Sequence, residues 1–129
     1  MDWHKVSCGK IAVIRYDVAE IMVDDGIDIN IKMVDEIHHY LLSTFPHSFS
    51  LLINKSNSYS TQLDALIRFG ALPAIDKIAI FAPTKMAELS ANFSAGIPSS
   101  AKLDIHVFPL RSDAINWLES TKSIKLHHD

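Results

Sequence analysis

One cysteine, four glycines, no excess of basic residues and no long apolar run mark this sequence, and each shortage excludes something. A lone thiol, Cys8, forms no internal disulfide, so a disulfide-stapled scaffold is excluded and a reducing compartment fits. Lys and Arg number 12 against 15 Asp and Glu, a net charge of −3, which argues against a general electrostatic grip on nucleic acid. No apolar run approaches the roughly 20 residues needed to span a membrane. The opening Met1-Asp2-Trp3-His4-Lys5 lacks the charged-then-apolar pattern of a leader peptide, so no stable membrane insertion and a cytoplasmic location are expected. The few glycines include no Gly-rich loop for nucleotide phosphates and no Gly-x-Ser-x-Gly elbow, so no cofactor is expected.

What is present is a core. The 129 residues are 48% hydrophobic and 21% charged, the balance of one globular domain over residues 1–129. β-Branched runs alternate with amphipathic stretches. Residues 3–7 and 10–16 read as a hairpin around Cys8-Gly9, and 20–24 as a strand stopped by Asp25-Gly26. Asn30 reads as an N-cap for a helix bearing Val34, Ile37, Leu41 and Phe45, which Pro46 ends. The continuous apolar runs 49–53 and 77–81 read as strands buried on both faces, with 103–108 as another. Between them, helices are expected from Ser60 or Thr61, from about Thr84 presenting Met86, Leu89 and Phe93, and from Ser112 or Asp113 with Ala114, Trp117 and Leu118. Residues 94–102, with Gly96 and Pro98, read as a loop. The expected fold is α/β: a mostly parallel sheet of four to six strands with right-handed β-α winding, about four helices and an antiparallel N-terminal hairpin. Its core should include Ile11, Val13, Leu51, Ile53, Ile78, Ile80, Val107, Trp117 and Leu118.

The order of elements resembles the SpoIIAA-like fold, shared by STAS domains and the lipid-binding CRAL-TRIO domains. In the last third, Lys77-Ile-Ala-Ile, Asn92-Phe93, Pro98, Val107-Phe108 and Ala114-Ile-Asn-Trp117-Leu118 are similar to the closing pattern of uncharacterised bacterial STAS-type proteins. The resemblance implies the fold above and a regulatory or protein-interaction role. It also directs attention to the stretch after the third predicted strand, where STAS domains carry a switch serine in Asp-x-Ser-Gly. Here that stretch is Asn54-Lys55-Ser56-Asn57-Ser58-Tyr59, with Ser56 at the serine offset, Asn54 for the aspartate and Asn57 for the glycine. The alternatives are a phospho-switch, a ligand loop, or a plain polar turn.

Three strand ends in this order are followed by helix starts, each with one base: Lys55, Thr84-Lys85 and Arg111-Ser112. Together they could hold an anion, or each could stand solvated near its cap. The seven histidines lack the i, i+4 spacing of zinc helices, so no metal site is expected. Cys8 has no neighbouring histidine or helix start to activate it, and no catalytic constellation emerges, so an enzyme is not expected. The helix from Thr61 carries Leu63, Leu66 and Ile67 on one side and Ala65, Phe69 and Leu72 on another. One stripe covers the sheet, and the other needs a helix–helix core, a homodimer contact through Phe69 and Leu72, or an apolar ligand. The expectation is a non-catalytic regulatory or interaction module, with a protein partner or itself; the alternative is a carrier of a small apolar or lipid ligand.

Overall fold

The computed structural model describes residues 1–96 and 103–128, the side chains of 121–128 excepted. Eight strands and four helices follow one another as β1 (Trp3–Val6), β2 (Gly9–Arg15), β3 (Val18–Val23), β4 (Asp28–Ile29), α1 (Ile31–Thr44), β5 (Phe49–Asn54), β6 (Ser60–Thr61), α2 (Leu63–Gly70), β7 (Ile75–Phe81), α3 (Lys85–Ala95), β8 (Asp104–Phe108) and α4 (Arg111–His128). The main sheet has the order β1-β2-β3-β5-β7-β8. The β1-β2-β3 meander is antiparallel, and β5, β7 and β8 are each added in parallel beyond β3.

Because every parallel strand is added on the same side, α1, α2 and α3 all fall on one face of the sheet. There Val34, Ile37 and Leu41 of α1, Ala65 of α2 and Ala91 of α3 close over Ile21, Leu51, Ile78 and Ile80. α4 returns across the opposite face, where Ala114 and Leu118 bury against Val18, Leu52 and Ala79. The central strands are apolar on both faces because both are covered.

Local chemistry sets the boundaries. The Asn30 side chain accepts from the Met33 N–H and caps α1, and Thr84 caps α3 in the same way through Ala87. A Cβ on Gly9 would meet the Met22 carbonyl oxygen at 2.1 Å, so the first hairpin admits only glycine where it crosses β3. Gly26 has φ of 80°, the left-handed turn expected of Asp25-Gly26.

Several expectations need correction. Ser60 and Thr61 do not open a helix: they form β6, which pairs in parallel with β4, and α2 begins at Leu63. The Ser60 hydroxyl donates to Asp28, so its hydrogen-bonding capacity goes to a strand contact instead of a cap. α4 begins at Arg111, placing Ser112 and Asp113 inside its first turn. α3 turns Ala87 and Ala91 to the sheet, which lets it lie close, and leaves Met86, Leu89 and Phe93 exposed. Val13 is 42% exposed, at the irregularity in the β2–β3 register and outside the helical cover. Ile53, Val107 and Trp117 are half-buried. Of the predicted loop 94–102, residues 94 and 95 end α3 and Gly96 is its C-cap, while 97–102, with Pro98, lie outside the described residues.

Candidate functional site

The loop that leaves β5 divides its residues between the two faces of the sheet. Asn54 turns toward α4: its amide donates to Glu20 Oε2 at 2.9 Å, and its carbonyl oxygen accepts from the Ser56 N–H at 3.0 Å and from the Ser56 hydroxyl. Glu20 is 1% exposed and also receives Arg111, through Nε at 3.2 Å and through the terminal nitrogen at 2.5 Å. Those bonds to Glu20 raise the Arg111 pKa, so the guanidinium stays charged. This cluster ties the first residue of α4 to the centre of β3.

Lys55 turns to the other face. Its backbone N–H donates to the Phe81 carbonyl at 2.8 Å, and the residue is 9% exposed. The ammonium lies 3.8 Å from the centre of the Tyr59 ring, a cation–π contact, and has no carboxylate partner among the described residues. Burial pushes the Lys55 pKa below the ordinary lysine range and the Tyr59 phenol above its own. The Tyr59 hydroxyl likewise makes no hydrogen bond among the described residues.

Lys55 and Tyr59 form the polar end of a cavity of about 100 Å³ between the sheet and α1, α2 and α3. Ile21, Ile53, Ile78 and Ile80 form its floor, with Ile37 and Phe69 of the helices among its other walls. The edge beside Lys55 is firmly built. Asn57 donates to the Val23 carbonyl at 2.9 Å, and the Ser58 N–H donates to Asp25 at 2.7 Å. The short β4–β6 ladder continues this closure, reinforced by Ser60 and Gln62 on Asp28, whose carboxyl these bonds hold below its usual range.

The predicted site residues therefore separate. Lys55 and Tyr59 share the cavity, whereas Asn54, Ser56 and Ser58 hold the loop in place. Ser56 does not stand at a helix start, because β6 intervenes before α2. The three bases that could have surrounded one anion do not converge. Lys85 is exposed and pairs with Glu88 at 3.3 Å, Arg111 is engaged by Glu20, and only Lys55 remains without a carboxylate. Ser112 is exposed and the Thr84 hydroxyl is engaged in its cap. Phe69 and Leu72 are half-buried against the core, Phe69 stacking on His38 at 5.6 Å, so the outward apolar residues of α2 are Leu63 and Ile67.

Several of the described histidines hold packing positions. His38 contacts the Phe69 carbonyl at 3.1 Å, His4 stacks on Tyr40, and His106 packs on Trp117. Among the described residues, no group of three metal-ligating side chains forms, and no helix is long and apolar enough to cross a membrane. Cys8 is fully buried, and that burial raises its pKa. Sequence reasoning missed the role of Glu20, and it raised an apolar ligand without placing the cavity. The signal for Glu20 was present, since a single carboxylate in the otherwise apolar run Val18–Val23 requires a buried partner. No family model, curated protein or solved structure matches the chain.

Proposed function

We propose that this protein is a non-catalytic, cytoplasmic binding module that takes a small apolar ligand into the cavity beneath α1, α2 and α3. One observation carries the reading: an apolar cavity of about 100 Å³ ends on a buried lysine that has no carboxylate partner among the described residues. A cavity formed only by imperfect packing needs no ammonium in its wall, because burying an unpaired charge is costly. The resemblance to STAS domains supports a module without chemistry of its own, and the resemblance to CRAL-TRIO domains supports an apolar ligand. The volume suits a small molecule or a chain end, not a whole lipid. Native mass spectrometry of freshly purified protein, followed by thermal melts with a panel of small apolar compounds, tests this. A co-purifying mass, or a rise in Tm with part of the panel, is expected. A clean protein mass together with no response to any compound contradicts the proposal.

A second reading, self-association, is favoured by α3, where Met86, Leu89 and Phe93 are 77%, 54% and 70% exposed at helical spacing. Such a row is what a twofold contact between copies would cover. On this reading Phe93→Asp shifts sedimentation of a wild-type dimer to monomer and leaves the circular dichroism spectrum unchanged. A wild type that sediments as a monomer at high micromolar concentration rules it out.

A further inference from the structure

The chemistry of the cavity wall narrows the ligand further, given the reading of the cavity as a binding site. We propose that the ligand is a short-chain carboxylate, its carboxylate seated on the Lys55 ammonium and the Tyr59 hydroxyl and its chain among Ile21, Ile53 and Ile80. Charge complementarity selects the head group. Lys55 is about nine-tenths buried, lines the cavity and, among the described residues, its ammonium has no partner but the face of the Tyr59 ring. A carboxylate would supply the missing counter-charge, and the Tyr59 hydroxyl supplies a further donor to it. A phosphate fits less well, because it carries up to two charges and the described residues of the cavity offer one base. Arg111 is held by Glu20 on the opposite face and Lys85 by Glu88 in solvent.

Volume selects the chain. A cavity of about 150 Å³ accommodates benzene, so about 100 Å³ accommodates fewer buried carbons. With the carboxylate at the polar end, an acid of about four to six carbons matches this space by the same comparison. Burial lowers the Lys55 pKa, and a carboxylate beside the ammonium restores it. Binding therefore takes up a proton at alkaline pH, and affinity falls as pH rises.

Calorimetric titration with pentanoate and with 1-pentanol separates head from tail. The wild type should bind pentanoate roughly tenfold or more tightly than the alcohol, the scale of a hydrogen bond to a charged group. Lys55→Met should bring the two to near equality with an unchanged circular dichroism spectrum. Lys55→Gln gives the same comparison with a polar side chain. Should neither variant fold, the wild-type preference and its decline at alkaline pH decide the question. Equal binding of acid and alcohol by the wild type, or a preference for the acid that survives in Lys55→Met, overturns the carboxylate assignment and leaves the apolar cavity site standing. Binding of neither compound overturns both.

Discussion

Each face of the sheet sets one cation next to the same loop, half-exposed Arg111 on one and buried Lys55 on the other, and the two are treated differently. On the α4 face, Arg111 meets Glu20 in a two-point contact, and Asn54 satisfies the carboxylate further. On the face of α1, α2 and α3, Lys55 is buried to 9% exposure against isoleucines and one aromatic ring. The first arrangement is complete in itself and has a structural purpose, since it fixes the start of α4 on β3. The second has no counter-charge among the described residues, and on the proposed ligand reading such a charge gives up stability for function. Two consecutive residues, Asn54 and Lys55, thus serve opposite ends because a strand alternates its side chains between faces.

Deleting the paired cation gives the largest effect. Arg111→Met leaves Glu20 buried with only Asn54 to bond it and should cost about 3 kcal/mol, read as a lower urea midpoint. If its stability stays within error of wild type, the α4 face is not held by this cluster. Next comes Phe69→Ala, which removes a half-buried ring from the cavity wall and should cost about 2 kcal/mol. The same change enlarges the cavity, so the preferred acid should lengthen by one or more carbons. An unchanged chain-length preference would separate Phe69 from the site.

The unpaired cation behaves in the opposite way. Lys55→Met should stabilise the ligand-free protein by about 1 kcal/mol, a rise in Tm of several degrees for a chain of this size. The folded pKa of Lys55 lies below its ordinary value of 10.5, so the wild type carries the penalty of the charge at neutral pH. That penalty disappears as pH rises toward 10.5, and the gain in the variant should shrink over the same range. A gain that is constant with pH would assign it to packing.

The smallest effect concerns His38, on the cavity side between α1 and α2. Burial lowers its pKa below 6.5, opposed by its bond to the Phe69 carbonyl and by Asp35, with Arg68 adding to the lowering. The neutral ring is the form that stabilises the fold. Its contribution is complete above pH 6.5 and is lost as pH falls through the folded value. His38→Gln, which can still donate to the Phe69 carbonyl, should flatten the stability profile between about pH 5 and 7. A slope that survives the substitution would assign it to another group.

The architecture was readable because burial on both faces leaves continuous apolar runs. Those at 49–53 and 77–81 allow little but central strands, and Asn30, Thr84 and Asp25-Gly26 punctuate them by local bonds and turns. The direction of the helix faces was harder to read. In α3 the sheet takes alanines and leaves Met86 and Phe93 outside, which hydropathy alone inverts. Ser60 and Thr61 resemble helix caps in isolation and become strand only because Asp28 and Ile29 run beside them. The loop 54–59 was recognisable from its position after a strand end. The face each residue would take could not be assigned without the partners across the sheet: Glu20 for Asn54, and the helix-lined cavity for Lys55.

Thermal melts of Lys55→Met and Arg111→Met, run beside the wild type at neutral pH without ligand, test the central claim most directly. Each variant replaces one of the two cations by the same apolar side chain. The account predicts opposite signs: a Tm above wild type for Lys55→Met and a Tm well below it for Arg111→Met. A Lys55→Met protein that melts below the wild type would mean that the Lys55 ammonium contributes to the fold, and the case for a ligand on it would fail.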